Sequence, residues 1–209
     1  MERCRLLIDE PAEGAWNMAV DEALARTVGE SGAPVLRIYR WMRPTLSLGY
    51  FQRHAGGEAH AASRACDVVR RASGGGAILH DRELTYSFAA PRAHRLASEP
   101  ETLYRQFHGA FVRALATFGL EASLSDPSRA GEAAPNAFLC FERRAGGDLI
   151  LGGAKIGGSA QRRHGDAILQ HGSLLLATSD CAPELPGIER LAAVDLGFEE
   201  VVDRWLPLL

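Results

Sequence analysis

Gly152-Gly153-Ala154-Lys155-Ile156-Gly157-Gly158-Ser159-Ala160-Gln161-Arg162-Arg163, followed three residues later by Ala167-Ile168-Leu169-Gln170-His171-Gly172-Ser173-Leu174-Leu175-Leu176, is the stretch from which the fold is best read. Ala154–Ile156 and Ala167–Leu176 have the apolar, turn-bounded character of strands. The second carries a polar quartet, Gln170-His171-Gly172-Ser173, inside an otherwise apolar run. A histidine in such a strand is more often a hydrogen-bonded core residue than a catalyst. Small residues on both sides of Lys155 let its ammonium lie along a groove floored by backbone; a solvent-exposed turn lysine is the plain alternative.

Lys155 also stands out by composition, because the chain has 22 arginines and this single lysine. Arginine keeps its proton in proteins whereas a buried lysine can lose one. A site that needs a proton-exchanging ammonium therefore cannot accept arginine.

Working outward, residues 3 to 8 read as a short strand, and Trp16, Ala19, Val20, Ala23, Leu24 and Val28 keep helical spacing after it. Val35 to Trp41 alternates apolar and polar residues between Pro34 and Pro44, and Thr45 to Tyr50 alternates again. A short helix is expected around Glu58 to Cys66, then a strand at Val68 to Arg71. The longest helix is predicted from about Glu101 to Phe118, with Leu103, Phe107, Phe111, Leu115 and Phe118 on one stripe and Gly119 as its stop. Residues 126 to 136 read as a loop. Further strands are expected at Ala77 to His80, Leu84 to Ala89, Phe138 to Phe141 and Asp148 to Leu151, and a helical tail from Glu184. Clustered strands with few helices, instead of strict alternation, predict an α+β chain, a single domain over 1–209 around a mixed or antiparallel sheet flanked by helices.

Composition narrows the function classes. The net charge is −3 and the arginines are scattered, so no nucleic-acid footprint is visible. Neither a signal-peptide stretch nor a run approaching the roughly 18 apolar residues of a membrane span is present, which implies a soluble cytoplasmic protein. Cys4, Cys66, Cys140 and Cys181 stand far apart without metal-ligand spacing, so no metal site and no disulfide framework is expected.

Three glycines, Gly74, Gly75 and Gly76, sit in Arg70-Arg71-Ala72-Ser73-Gly74-Gly75-Gly76-Ala77-Ile78-Leu79-His80-Asp81. Such a loop lets backbone pass close to a ligand with amide donors free; a hairpin turn is the alternative. No Gly-Lys-Ser/Thr follows, so it is not a phosphate loop of the Walker type. Cys140 lies in Asn136-Ala137-Phe138-Leu139-Cys140-Phe141-Glu142. By itself it reads as core, and a nucleophilic role requires a positive charge nearby to favour the thiolate.

The order of these segments carries more than any one of them. Trp41–Gln52 (WMRPTLSLGYFQ), Arg70–Asp81, Glu83–Phe88 (ELTYSF), the cysteine before Phe-Glu, and the Lys155 segment leading into AILQHGSLLL resemble the biotin/lipoate protein ligase and lipoyl-octanoyl transferase superfamily. The resemblance runs from Asn17-Met18-Ala19-Val20-Asp21-Glu22-Ala23 to about Leu176, and is nearest to the LipM-type octanoyltransferases. It implies the class II synthetase-like catalytic-domain fold and transfer of an octanoyl group from acyl carrier protein to a lysine of a lipoyl-domain protein, such as the glycine-cleavage H protein or a dehydrogenase acyltransferase subunit. Cys140 would carry the acyl group as a thioester, and no cofactor is then needed. Lipoate ligases of the LplA type share the Gly-rich and lysine segments but have Asn-Asp in place of Cys140-Phe141.

The resemblance assigns Cys140 and Lys155 to catalysis. To substrate binding it assigns Arg70 and Arg71, Ser73 to Gly76, His80, the Gly157-Gly158-Ser159 run and the His171-Gly172 pair. Lys155 would favour the thiolate and relay a proton. Cys181 is the competing nucleophile, because LipB-type transferases place theirs after the His-Gly strand. The chain departs from the LipM pattern after Glu142, in Gly-Gly-Gly-Ala where Gly-Gly-Arg-Gly is common, and in ending at Leu209 where typical relatives are longer. The alternatives are an ATP-dependent lipoate ligase using ATP and magnesium, a LipL-type amidotransferase between lipoyl domains, and a lipoate- or biotin-binding protein without catalysis.

Overall fold

The computed structural model describes residues 4–53, 60–97, 99–131 and 137–209. A seven-stranded mixed sheet forms its centre, with the smaller sheet that bears the Gly-rich loop beside it.

The large sheet contains β1 (Arg5–Ile8), β2 (Val35–Tyr39), β6 (Glu83–Pro91), β7 (Ser123–Leu124), β8 (Leu149–Leu151), β9 (Ala154–His164) and β10 (Ala167–Leu175), in the order β1-β2-β6-β10-β9-β8-β7. Among the described residues, only β1 and β2 pair in parallel in this sheet. The small sheet has the order β4-β3-β5, from β3 (Thr45–Leu48), β4 (Asp67–Arg70) and β5 (Ile78–His80).

The two-residue period of a strand sorts β2, β6 and β10 into two chemically different faces. Leu36, Ile38, Leu84, Tyr86, Phe88, Ile168 and Leu174 point into an apolar core covered by α2 (Pro100–Ala116) and α4 (Phe198–Trp205). There Leu103, Phe107, Phe111 and Leu115 form the expected helix stripe, and the Trp205 ring stacks on Phe111 at 4.1 Å between centroids. Each such fully buried aromatic or aliphatic side chain contributes about 1.5–3 kcal/mol.

The opposite face is polar at its centre. Arg37, Tyr39, Thr85, Ser87, His171 and Ser173 are all buried on it, beneath α1 (Gly14–Ser31). The buried stripe of α1 accordingly joins Asn17, Asp21 and Ala25 to the expected Val28, while Trp16 of the expected set is 63% exposed. The reason lies in the sheet: Arg37 is fully buried and must be neutralised. Its guanidinium donates to Asp9 at 2.7 Å, to Asp21 at 2.9 Å, and to the carbonyl and side-chain oxygens of Asn17.

Several expected elements shift. Phe138 to Phe141 is not a strand but a 3-10 turn at Cys140–Glu142, attached to the Gly-rich loop by one parallel bridge between Ala77 and Leu139. The helix expected around residues 58–66 is a 3-10 turn at Ala61–Ser63; residues 54–59 lie outside the described part. The helical tail is α3 (Ile188–Ala192), α4 and a final 3-10 turn at Leu206–Leu208. No helix among the described residues is long and apolar enough to cross a membrane, and no described trio of His, Cys, Asp or Glu is placed to hold a metal.

Candidate active site

The site is built where the Gly-rich loop, the Cys140 turn and strands β9 and β10 converge. Gly75 adopts φ +93°, and its carbonyl oxygen lies 2.1 Å from where a Cβ on Gly49 would stand, so these two backbones approach as only glycine allows. On the other side of the loop, a Cβ on Gly76 would come within 3.3 Å of the Cys140 backbone. That contact lets the Cys140 N–H donate to the Ala77 carbonyl at 2.6 Å.

Leu139 and Phe141 are buried in a second apolar cluster with Leu46, Leu48, Ala77 and Leu79, so the intervening Cys140 is left half-buried and lining the cavity. The Glu142 carboxylate accepts from the N–H groups of Phe138 and Leu139 at 3.0 and 2.9 Å, and these bonds close the turn.

Lys155 rises from β9 behind this turn. Its Nζ donates to Asp148 at 2.8 Å and to the carbonyl oxygens of Arg143 and Cys140 at 3.3 and 3.5 Å, and lies 5.3 Å from the Phe141 ring centroid. All three ammonium protons therefore have acceptors, and two of these belong to the segment that carries the cysteine. Asp148, 1% exposed, also accepts from Tyr104 Oη and the Ala145 N–H, each at 2.7 Å. A Cβ on Gly158 would stand 2.9 Å from Lys155 Cε and 3.2 Å from Asp148 Oδ1, so the glycine there makes room for the ion pair. Lys155 thus lines the cavity together with Cys140 and, ion-paired with Asp148, also anchors the cysteine turn.

The cation opposite the sulfur is Arg71. The point where a Gly75 Cβ would stand is 3.1 Å from Arg71 Nη2 and 4.0 Å from Cys140 Sγ. Burial draws the Arg71 guanidinium down to about 10, and the facing Cys140 side chain opposes that shift. Arg71 donates to the carbonyls of Ser47, Gly74 and Gly76 at 2.8, 2.8 and 2.6 Å, so it also braces the loop.

Further buried relays flank the cavity. The Ser73 hydroxyl pairs with His171 Nε2, whose Nδ1 lies 3.7 Å from Asp21. Burial lowers the His171 pKa against the pull of Asp21; for Asp21 itself, burial is outweighed by His171, Arg37 and Ser87, and its carboxyl titrates lower than usual. His80 is stacked on Trp41 at 4.0 Å, with Glu83 on Nδ1 at 2.6 Å and Ser47 on Nε2 at 2.7 Å. On β9, Ser159 bonds His108 at 2.7 Å and Tyr86 at 2.6 Å.

These groups surround a cavity of 390 Å³ with Met18, Ile78 and Phe141 among its apolar walls. That volume is within the range of about 300–1,000 Å³ usual for small-molecule sites. Of the residues expected at the site, Cys140, Lys155, Arg71, Gly74, Gly75, His80, Gly158, Ser159, His171 and Gly172 line it. Ser73 is fully buried beneath it, and Gly76 supports the cysteine turn.

Arg70 does not reach the cavity; its Nη1 caps the carbonyls of Gly49, Tyr50 and Gln52 at 2.9, 3.1 and 2.8 Å. A Cβ on Gly157 would stand 2.6 Å from the Leu149 side chain, which places that residue against the core. Cys181 is outside the cavity and faces Cys66, whose thiol is pushed up to about 12 by burial and by that neighbour. Asp148, Tyr104 and His108 were not anticipated, since a single aspartate, tyrosine or histidine carries no local signal of its partner.

The family model for the lipoyl protein ligase A/B catalytic domain matches residues 13–183. The chain belongs to this family. Among curated proteins, the octanoyltransferase LipM of Kyrpidia tusciae is 41% identical over 193 residues, covering 88% of this chain and 69% of that protein. LipM of Carboxydothermus hydrogenoformans is 38% identical over 181 residues, covering 84% and 66%. The chain thus spans about two thirds of the length of these curated relatives. Among solved structures, lipoate-protein ligase A bound with ATP superposes with a TM-score of 0.74 at 27% identity, covering all of this chain and 84% of that one. A T. acidophilum protein with bound lipoic acid gives 0.75 at 26% identity and the same coverage. The mixed sheet flanked by helices is therefore the catalytic-domain fold of the lipoyl protein ligase family.

Proposed function

We propose that this lipoyl protein ligase family member is an octanoyltransferase of protein lipoylation that works through an acyl-Cys140 thioester. The observation that carries the proposal is the placement of Cys140 at the cavity wall opposite the Arg71 guanidinium, on a turn held by Lys155. The LipM relatives support the same reading.

In the first step the Cys140 sulfur attacks the octanoyl thioester carbonyl of acyl carrier protein. A new C–S bond forms, the donor C–S bond breaks, and the carrier thiol leaves with a proton. In the second step a lysine amine of a lipoyl domain attacks the acyl-enzyme, a C–N bond forms, the C–S bond to Cys140 breaks, and a proton from the amine restores the thiol. Because an amide is more stable than a thioester, no ATP is consumed. Arg71 offsets negative charge on sulfur and on the tetrahedral oxygen, while Lys155 fixes the turn and, with Asp148 at 2.8 Å, forms a pair able to exchange a proton. Gly74 and Gly75 let the acyl chain lie against backbone, and His80 and His171 shape the wall. The setting is the cytoplasm, without metal.

Intact mass after incubation with octanoyl carrier protein tests this. A gain of one octanoyl group, removed by hydroxylamine and absent from Cys140→Ser, is expected. Likeness to an ATP-bound ligase favours a second reading, activation of free octanoate or lipoate by ATP. No adduct from the carrier, with acylation of a lipoyl domain only when octanoate and ATP are supplied, would establish that reading instead.

A further inference from the structure

The floor of the cavity is one cross-strand row of the large sheet. Gly158 of β9 stands opposite Ser173 of β10, Ser173 opposite Thr85 of β6, and Thr85 opposite Tyr39 of β2; all four line the cavity. One end of the row is the reacting end, since a Cβ on Gly158 would stand 2.9 Å from Cε of Lys155, whose Nζ holds the Cys140 turn. The other end is closed by the fully buried Tyr39 and by Met18 of α1. Asn17 Nδ2 donates to the Arg40 carbonyl at 3.1 Å and Tyr39 Oη donates to Asp21 at 2.8 Å, so the part of α1 that carries Met18 is seated on β2. Among the described residues Met18 is the one α1 side chain that lines the cavity, and it is half-buried, standing between the far end and solvent.

Three of the four floor residues carry hydroxyls, yet none of these has a proton to offer a ligand. Ser173 and Thr85 donate to the buried Glu83 carboxylate at 2.9 and 2.6 Å, Tyr39 donates to Asp21, and Thr85 also accepts from Trp41 Nε1 at 2.8 Å. A saturated chain crossing the row therefore strands no donor, whereas a ligand recognised through its own acceptors finds none on this floor. Length agrees with that chemistry. Strands about 4.8 Å apart make the row from Gly158 to Tyr39 about 14 Å long. The seven C–C bonds of an octanoyl group, each about 1.52 Å and bent at about 111°, extend about 9 Å. Such a chain starting beside Gly158 ends over Thr85, with Tyr39 and Met18 filling the space beyond.

We infer that the acyl chain lies across this row, from Gly158 toward Tyr39, and that Met18 is the residue that sets how long a chain the enzyme accepts. Tyr39 is fixed by its bond to Asp21, so it is a rigid end wall. Met18 is unbranched and adaptable, and its size determines the space left beyond Thr85. The inference deepens the octanoyl reading of this site and rests on it for the identity of the chain.

The test is a chain-length profile of Cys140 acylation, read by intact mass, for the wild type, Met18→Ala and Met18→Trp with hexanoyl, octanoyl, decanoyl and dodecanoyl carrier protein. Met18→Ala is expected to raise the decanoyl-to-octanoyl ratio of acylation efficiencies about tenfold, and Met18→Trp to raise the hexanoyl-to-octanoyl ratio by a similar factor, the effect of a methylene gained or refused in an apolar site. Shifts in opposite directions distinguish a changed channel length from a loosened fold, which would lower every chain together. An octanoyl maximum retained in both variants overturns the inference. So does a shift toward longer chains in both, which would place Met18 away from the end of the chain. Should the wild type form no Cys140 adduct from any thioester but acylate a lipoyl domain from free acids with ATP, the acyl-Cys140 reading falls. The same series of free acids then decides the role of Met18.

Discussion

Asp148→Asn is the perturbation whose consequence is best determined by geometry. The carboxylate accepts three hydrogen bonds: Lys155 Nζ at 2.8 Å, Tyr104 Oη at 2.7 Å and the Ala145 N–H at 2.7 Å. Asparagine offers one oxygen, which can serve Tyr104, while its amide nitrogen then faces the donors of Lys155 and Ala145. The Lys155 side chain is only 5% exposed, so an ammonium is left buried without its counter-ion. Breaking such a pair costs about 3–5 kcal/mol, a large part of the roughly 5–15 kcal/mol that holds a domain folded. Lys155→Met by itself orphans the carboxylate less severely, because Tyr104 and Ala145 still bind it. The double variant leaves no orphaned charge. Urea denaturation of all four proteins is thus expected to show the double variant less destabilised than the sum of the singles by about 2–3 kcal/mol. Additivity within about 0.5 kcal/mol would refute the claim that the two side chains act as one buried unit.

Other outcomes follow from the same contacts. Cys181→Ser is expected to leave octanoyl transfer unchanged, since Cys181 faces Cys66 outside the cavity; a loss of activity matching that of Cys140→Ser would reverse the choice of nucleophile. Gly76→Ala places a methyl 3.3 Å from the Cys140 backbone and is expected to slow acylation at least about tenfold through displacement of the turn, read from the rate of thioester formation. His108 is held neutral by burial, with its pKa drawn down from 6.5 to about 4. The unfolded chain therefore binds a proton that the folded one refuses in that window. Stability is expected to be full above pH 6.5 and to fall as pH drops toward 4, by up to about 1.4 kcal/mol per pH unit from this group, and His108→Gln should flatten that slope in acid denaturation.

Fold class and most strands were legible in the sequence because burial on a strand or helix face leaves a period, as in Leu103, Phe107, Phe111 and Leu115 of α2. The ordered motifs likewise single out Cys140, Lys155 and the Gly-rich loop within the sequence. The period failed at α1, where the buried stripe carries Asn17 and Asp21, because a helix covering a buried arginine must present polar groups inward. It failed again at Phe138–Phe141, where alternation of burial around Cys140 comes from a 3-10 turn lodged on glycine, not from a strand.

What the tertiary structure alone decided is the partnership of charges. That Lys155 belongs to Asp148 and Arg71 faces Cys140 depends on distances between residues 7 and 69 positions apart. A residue type announces its chemistry in a sequence, but the sign and distance of its neighbours, which determine what that chemistry does, exist only once the strands have paired.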